Sequence, residues 1–303
     1  MRVTYELPKK RDGRLLNVRL KARSKRVNRS FMGTFSLFAL LAVFGAFMAL
    51  PLVYAINNAF KPLDEIFLFP PMLFVRNPTW NNFSDLINLL GQSWVPFSRY
   101  IFNTVFITGV GIVGHVVFAS AAAYPLAKHK FPGKVFLFQV VVLSLMFTPV
   151  VTATPNYMIL SWLGLIDTYW AVIIPAFGYS LGLYLMKQFM EQIPDALLEA
   201  AKIDGASEYR IFWSIVMPNV KPAWLTLIIL LFQILWGTDG NGFIYSEQLK
   251  TLHYASNQII LGGISRAGAG AAVAVILMSV PIVLFLFSQS RIIETMATSG
   301  MKD

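Results

Sequence analysis

The 303-residue chain contains no cysteine, which excludes disulfides, thiol catalysis and cysteine-based metal sites. Its histidines, His115, His129 and His253, are scattered without the spacing of metal ligands, so no metal site is expected. The sequence also lacks the GxxxxGK[ST] pattern of a phosphate-binding loop, so the chain is not expected to bind ATP itself. No Ser/His/Asp set or pair of carboxylates suited to catalysis occurs within the long apolar stretches of the sequence. The chain is therefore not expected to be an enzyme, and no catalytic residues are predicted.

Charged residues are scarce as well. Asp, Glu, Lys and Arg make up 13% of the chain, against about 25% in soluble domains. Six stretches contain none of these four residue types: 30–60, 100–127, 135–166, 168–186, 222–238 and 267–290. Each is long enough for a membrane-spanning helix, which needs about 17 to 25 apolar residues. The predicted fold class is all-α, a polytopic membrane protein with six transmembrane helices.

The net charge of +10 is concentrated at the start of the chain. Residues 1–30 hold eleven Lys and Arg against two acids, while the rest holds 14 basic and 13 acidic residues. A basic segment before the first span is typical of a cytoplasmic N-terminus, and it also suits contact with anionic lipid headgroups. No aromatic or glycine pattern accompanies the charge, so a nucleic-acid partner is not predicted.

The predicted organisation has three parts: a basic cytoplasmic extension at 1–30, a membrane domain at 31–290, and a cytoplasmic tail at 291–303. The spans are predicted at about 31–56, 101–127, 135–160, 168–188, 222–238 and 267–290. The first is too long for a signal-peptide core and is interpreted as a retained anchor. Six spans place both termini in the cytoplasm. The loop "KHKFPGK" between the second and third spans contains three lysines and no acid, which supports this orientation. A short interfacial helix is predicted at 83–90 in the outer loop.

The inner segment at 191–221 differs from the rest of the chain in combining acids, bases, glycine and proline. "IPDALLEAAKI" predicts a short helix that begins at Pro194 and Asp195, with an apolar stripe of Leu197, Leu198, Ala201 and Ile203. Gly205 is expected to end it in a left-handed conformation, and Ser207 is expected to cap a second helix. Between 191 and 210 there are five acids and two bases. Such a surface suits a protein partner better than anionic lipid.

This segment resembles the EAA signature of ABC importer permeases. Glu199, Ala200, Ala201, Gly205, Ile215 and Pro218 match the signature in order and spacing. Met217, where the family usually has leucine, is a conservative departure. In that family the loop forms a coupling helix that docks in a groove of a separate ATPase subunit. The resemblance implies this role for 200–205, which includes Lys202 and Asp204, with Glu199 and Gly205 setting the shape of the loop.

Other segments resemble carbohydrate-uptake permeases of the maltose-transporter type. These are "NTVFIT", "AAAYPLAKHKFPGK", "NPTWNNFSDL" and "ETMATSGMKD", and the resemblance covers nearly everything after Arg29. It implies a prokaryotic cytoplasmic membrane, a second homologous permease subunit, two ATPase subunits that bind ATP and Mg²⁺, and an extracytoplasmic solute-binding protein that delivers carbohydrate, expected to be an oligosaccharide. Related permeases also carry polyols or glycerol-phosphate compounds, so the sequence leaves the substrate open.

Polar side chains in or near the spans are the candidates for substrate contact, because polar groups in a membrane are expensive and tend to be functional. For each one, hydrogen bonding between helices or an interfacial position is the competing interpretation. The candidates are Asn103, Thr104, Thr148, Thr152, Asn156, Gln233, Trp236 and Asp239. The family often has a Trp-Asn-Asp-like run where this chain has "ILWGTDGNGF", so the alignment of Trp236 and Asp239 is open.

The alternative class is a secondary transporter or channel that works alone. Proton- or ion-coupled transport generally uses charged side chains within the spans. The six charge-free stretches contain none, which favours an importer permease.

Overall fold

A computed structural model of the chain describes residues 31–91, 94–240 and 242–299. Within these ranges the chain forms helices and loops, and no strand occurs. The predicted basic extension 1–30 and the end of the predicted tail, 300–303, lie outside the described residues. The chain divides after Leu50 into two compact units.

Fourteen α-helices occur in the described ranges, numbered here in chain order: α1 Phe31–Phe60, α2 Leu63–Ile66, α3 Asn81–Gly91, α4 Phe97–Lys128, α5 Lys134–Ser144, α6 Pro149–Trp162, α7 Trp170–Phe177, α8 Ser180–Glu191, α9 Asp195–Ile203, α10 Glu208–Ile211, α11 Met217–Asn219, α12 Lys221–Trp236, α13 Leu252–Leu261 and α14 Ala267–Ser299. A π-helical turn, Phe212–Val216, joins α10 to α11, and 3₁₀ turns occur at Glu247–Leu249 and Ile264–Arg266. The short helix predicted at 83–90 is found as α3.

Four helical segments are long and apolar enough to cross a membrane: Phe31–Phe60, Phe97–Lys128, Trp170–Glu191 and Ile264–Phe287. Two bent pairs also qualify, α5 with α6 and Glu208–Asn219 with α12. Counting each bent pair as one span gives six. The all-α, polytopic class predicted from the charge-free stretches is confirmed.

The third predicted span, 135–160, is not one helix in the structure. α5 and α6 meet at an angle of 112°. Between them Thr148 is extended, with φ −76° and ψ 152°, because the ring of Pro149 disfavours the helical conformation of the residue before it. The fifth predicted span, 222–238, corresponds to the single helix α12, which is bent by 74° from the preceding segment Glu208–Asn219.

The long helix α4 lies at the centre of the bundle formed from Pro51 onwards and packs against α7, α8 and α12. Small residues on α4 allow this packing. A Cβ atom on Gly111 would lie 2.6 Å from the Leu235 side chain, and one on Gly114 would lie 2.1 Å from Phe177. Tight packing, rather than the lining of a pore, therefore explains these two glycines.

Asp167 joins the α6–α7 connection to the loop that follows α12. It adopts a left-handed conformation with φ 63°, and its backbone N–H donates to the Phe243 carbonyl at 2.8 Å. Its carboxylate accepts hydrogen bonds from the backbone N–H groups of Tyr245 (2.9 Å) and Ser246 (2.8 Å) and from the Ser246 hydroxyl. These bonds lower the pKa of Asp167, with the Ser246 hydroxyl as the largest cause.

We expect Asp167→Asn to make the stability of the folded protein less dependent on pH in the acid range. Asparagine tolerates the left-handed conformation but carries no charge. Because the folded pKa of Asp167 lies below its unfolded value of about 3.9, its stabilisation is fully present above that value and is lost as the pH falls from there through the lower folded pKa. Thermal unfolding in detergent from about pH 6 down to about pH 2 should therefore show a steeper loss for the wild type than for the variant, with the difference below about pH 4.

Asp64→Asn is the matched control for this measurement. Asp64 is exposed, and its carboxylate has no hydrogen bond or ion pair within the described ranges. We expect this variant to follow the wild-type profile. Parallel profiles for the wild type and Asp167→Asn would show that the charge on Asp167 does not stabilise the fold.

Candidate functional site

The segment between α8 and α12 forms a short helix, a glycine corner and a second short helix, as predicted. α9 spans Asp195–Ile203 and ends at Asp204. Gly205 follows with φ +79° and open space around the position of a Cβ atom. The Ser207 hydroxyl then accepts a hydrogen bond from the Arg210 N–H at 3.3 Å and caps α10. The corner therefore depends on the backbone freedom of Gly205 and not on a close neighbour.

The inner face of α9 packs on the protein itself. Leu198 and Ala201, three residues apart and on one side of the helix, are buried in a core cluster with Ile211, Phe212 and Val216. The predicted apolar stripe is wrong for Leu197, which is 43% exposed, and for Ile203, which is 87% exposed. Ala201 consequently packs against the core of the chain itself and is not on the surface that a partner would contact.

The outer face of α9 carries most of the predicted coupling residues. Glu199, Ala200, Lys202, Asp204 and Gly205 are all exposed. The Glu199 carboxylate has no hydrogen bond or ion pair within the described ranges, so nothing in that part of the chain occupies it. The face combines charge with two small residues, and the exposed apolar side chain of Ile203 lies beside it.

Ile215 and Pro218 lie away from this outer face. Ile215 is partly buried against the core cluster that holds Leu198 and Ala201, and Pro218 is exposed in α11. The residues of the signature thus have different surroundings in the structure. Glu199, Ala200 and Gly205 face outwards, while Ala201 and Ile215 hold the loop on the bundle.

Both ends of α9 are tied to the last turns of α4. At its start, the Lys128 ammonium contacts the Asp195 carboxylate at 2.7 Å and holds the pKa of that carboxyl below its usual value. At its end, Lys202 pairs with Glu208 at 2.6 Å, and the Tyr124 hydroxyl donates to the same carboxylate at 2.9 Å. The loop that contains α9 is therefore held to the bundle at two points.

The sequence analysis did not identify Tyr124, Lys128 or Glu208 as functional candidates. Tyr124 and Glu208 are 84 residues apart in the chain, and no local pattern relates them. The prediction that Ile203 shares a face with Leu198 is wrong. The helical repeat of about 100° per residue places the two side chains on different sides of the helix, so the error could have been recognised from the sequence.

The side-chain amide of Asn103 makes its hydrogen bonds to other parts of the chain. It is completely buried, and its amide nitrogen donates to the carbonyls of Gln248 and Lys250, each at 2.8 Å. Its amide oxygen accepts from the Tyr169 hydroxyl at 2.7 Å. The neighbouring Thr104 hydroxyl accepts from the Leu252 N–H at 2.8 Å. Both residues hold the 248–252 segment on α4, so substrate contact is not their role in this conformation.

The remaining pathway candidates lie on two helices. On α12, Gln233 is exposed, while the Trp236 indole stacks on Phe232 and donates to the Leu277 carbonyl at 3.2 Å. Asp239 follows α12 and is half-buried.

Three polar residues at four-residue spacing lie at the start of α6 and along it: Thr148 directly precedes the helix, and Thr152 and Asn156 share one of its faces. Thr148 is exposed, and Thr152 and Asn156 are partly exposed. The Thr152 hydroxyl bonds only to carbonyls of its own helix turn, with Pro149 at 3.2 Å. This stripe is a polar surface of the spans that stays accessible in the described part of the chain.

No group of three or more His, Asp or Glu side chains close enough to hold a metal ion occurs in the described residues. The candidate site thus consists of the helical loop at 191–221 and a polar helix face. A bundle of up to six spans with an outward-facing helical loop between two of them is an architecture expected of a membrane transport protein.

The chain belongs to the family of binding-protein-dependent transport system inner membrane components, whose model matches residues 115–297. The matched range includes the whole docking loop and α6. The resemblance to ABC importer permeases that the EAA spacing indicated is confirmed.

Two curated relatives and one solved structure illustrate this membership. The protein LplC of Bacillus subtilis (strain 168) is 32% identical over 66% of this chain and 66% of its own length. The arabinooligosaccharides transport system permease protein AraQ of Halalkalibacterium halodurans is 30% identical over 88% of this chain and 94% of its own. A bacterial ABC transporter involved in the import of the acidic polysaccharide alginate has the same fold, with a TM-score of 0.72 at 20% identity over 86% of this chain and 96% of that chain.

Proposed function

We propose that this chain is a membrane-spanning subunit of an ATP-driven importer that takes up a carbohydrate, most simply an oligosaccharide, delivered by an extracytoplasmic solute-binding protein. The observation that carries this proposal is the outer face of α9, whose Glu199 carboxylate has no partner in the described part of the chain. The similarity to the arabinooligosaccharide permease AraQ and to the alginate importer supports a saccharide substrate. Polyols and glycerol-phosphate compounds are the alternative substrates.

In this proposal α9 docks in a groove of a separate ATPase subunit, two copies of which bind ATP and Mg²⁺. A second homologous permease subunit completes the pathway, and the polar stripe of Thr148, Thr152 and Asn156 faces it. Both termini lie in the cytoplasm of a prokaryotic cell, which the basic residues of 1–30 and of "KHKFPGK" support. Apolar side chains exposed along α1 and α5 suit contact with lipid or with the second permease.

Glu199→Lys tests the docking role. We expect ATP-driven uptake in proteoliposomes, and the ATP hydrolysis coupled to it, to fall about tenfold, the factor that corresponds to the loss of one charged hydrogen bond. The change should leave thermal unfolding of the chain unaltered, because Glu199 is exposed. The measurement is made on the assembled complex, with co-purification of the ATPase subunit followed in parallel.

Asp64→Lys makes the same charge change at an exposed position outside the docking loop and should leave uptake unchanged. Uptake by the chain alone, without any ATPase, would overturn the proposal in favour of a secondary transporter. Unchanged uptake by Glu199→Lys would remove the docking role of α9.

A further inference from the structure

A groove with two lysines lies where the loop after α4 meets the start of α5. It has a volume of about 550 Å³, and its lining includes Lys130, Lys134, Phe131, Phe136 and Gln139. Lys130, Phe136 and Gln139 are exposed, while Lys134 and Phe131 are partly exposed. The groove therefore presents two ammonium groups and an amide beside two apolar rings.

The two lysines of the groove have no acidic partner within the described ranges. Lys130 makes no hydrogen bond or ion pair there. The Lys134 ammonium donates to the carbonyls of Ala127 at 3.3 Å and His129 at 3.2 Å. These carbonyls are neutral acceptors, so they hold the Lys134 side chain in place without neutralising its charge.

The acids of the neighbouring loop are paired with other cations. Asp195 lies within electrostatic reach of both groove lysines, but its carboxylate is paired with Lys128 at 2.7 Å. Glu208, which lies 3.8 Å from His129 Nε2, contacts Lys202 at 2.6 Å. Both positive charges of the groove therefore remain available to an anion.

An apolar stripe leads away from the groove along α5. Phe136, Val140 and Leu143 follow one another at spacings of four and three residues and share one face of the helix. They are 66%, 47% and 56% exposed, and no residue of α5 after Lys134 is charged. At 1.5 Å per residue the stripe is about 10 Å long. This face of α5 thus joins a cationic end to a strip of hydrocarbon surface without a hydrogen-bonding group.

We propose that this groove binds the headgroup of an anionic phospholipid, with Lys130 and Lys134 on the phosphate and an acyl chain along the stripe. The charge-free stretch that begins at 135 places the start of α5 at the membrane boundary, where lipid phosphates lie. A choline headgroup would bring a further cation to two uncompensated lysines, so a headgroup with a net negative charge is favoured. The Gln139 amide can bond the glycerol hydroxyls of phosphatidylglycerol.

The site has two chemically different halves, and an amphiphile satisfies both. A free phosphate ion would pair with the lysines but leave the stripe bare. A second protein subunit could cover the stripe, but it would have to bring an acid to the lysines at the membrane boundary. Neither the transported solute nor the docking role of α9 enters this assignment.

Fluorescence quenching beside the stripe tests the lipid preference. Because the chain has no cysteine, Leu137→Cys on α5, a position that is 49% exposed, carries a single bimane label. The full chain is reconstituted in phosphatidylcholine with increasing fractions of brominated phosphatidylglycerol, and with brominated phosphatidylcholine as the reference. We expect the anionic lipid to bind at this position about tenfold more tightly than the reference, because each lysine near a lipid phosphate adds to the attraction.

Lysine variants assign the preference to the groove. Lys130→Gln breaks no bond within the described ranges and should lower the preference about threefold, and its combination with Lys134→Gln should abolish it. Lys134→Arg keeps the charge and should retain it. Lys221→Gln, at an exposed lysine where α12 begins, is the matched control and should also retain it. Residues 1–30 are present in every variant, so their own attraction for anionic lipid is common to all measurements.

Two further measurements separate the possible occupants. Excess inorganic phosphate should not displace the brominated phosphatidylglycerol, and displacement would assign the groove to a free anion. Quenching should persist in the assembled complex, whereas its loss on assembly would show that another subunit covers the groove. Equal binding of the two brominated lipids to the wild type, or the same loss of preference in Lys221→Gln as in Lys130→Gln, would overturn the proposal. Failure of ATP-driven uptake would not change these results, because they are measured on the chain in lipid.

Discussion

Replacing Gly205 with tryptophan is expected to reduce ATP-driven uptake by at least about tenfold, the effect of losing roughly 1.4 kcal/mol of docking energy. Gly205 has φ +79°, and a left-handed conformation costs an ordinary residue about 1–2 kcal/mol. Its surroundings are open at the position of a Cβ atom, so a side chain can leave the backbone without an immediate clash. It would project from the outer face of α9 and hold a docking partner away. Uptake and ATP hydrolysis by the reconstituted complex measure the effect.

Two further variants separate the backbone effect from the steric one. Gly205→Asn keeps a residue that tolerates the left-handed conformation and should retain most of the uptake. Gly164→Trp places the same indole at a glycine with φ +68° and equally open surroundings, but outside the docking loop, and should also retain it. Equal losses in Gly205→Trp and Gly164→Trp would show that a general defect of folding, and not docking, is being measured.

Replacing Asn103 with leucine is expected to destabilise the protein by about 2–3 kcal/mol, since a buried group left without a partner costs about 1–3 kcal/mol. The carbonyl of Lys250 would lose its bond from Asn103, while the carbonyl of Gln248 and the hydroxyl of Tyr169 would lose one bond each and keep their bonds from Arg99. Leucine has a similar volume but no polar atom, so the loss comes from hydrogen bonding. The expected result is a large fall in the apparent melting temperature in detergent and a low yield of folded protein.

Asn156→Leu makes the same chemical change on α6 and is the control. Asn156 is partly exposed, and its side chain has no hydrogen bond within the described ranges, so stability should change little. If Asn156 contacts substrate as predicted, uptake should fall while the melting temperature remains that of the wild type. Similar melting temperatures for Asn103→Leu and the wild type would contradict the role of Asn103 in holding the 248–252 segment on α4.

The two asparagines show where prediction from sequence succeeds and where it ends. Both were candidates for substrate contact because both are polar residues in apolar surroundings. Their sequence context is similar, yet Asn103 is saturated by partners about 145 residues away and Asn156 lies on an accessible helix face. The surroundings of a polar residue depend on contacts between helices, and these leave no pattern in the residues next to it.

The break between α5 and α6 has a different cause. A charge-free stretch at 135–166 marks a membrane segment but does not distinguish one helix from two. Pro149 supplies a local reason for the break, although Pro51 and Pro155 lie inside continuous helices. Whether a proline breaks a helix or is accommodated depends on the neighbours that satisfy the freed carbonyl.

The sequence by itself determined the all-α membrane class, the position of the docking loop and the helix–glycine–helix form of that loop. These features follow from local rules: hydropathy over about 20 residues, helix capping and the backbone freedom of glycine. Only the tertiary structure decided which face of α9 is outward, that Ala201 packs inward, and that Tyr124 and Glu208 meet across 84 residues. Such contacts are set by how helices pack, which depends on the shape of the whole bundle and not on any short stretch of the chain.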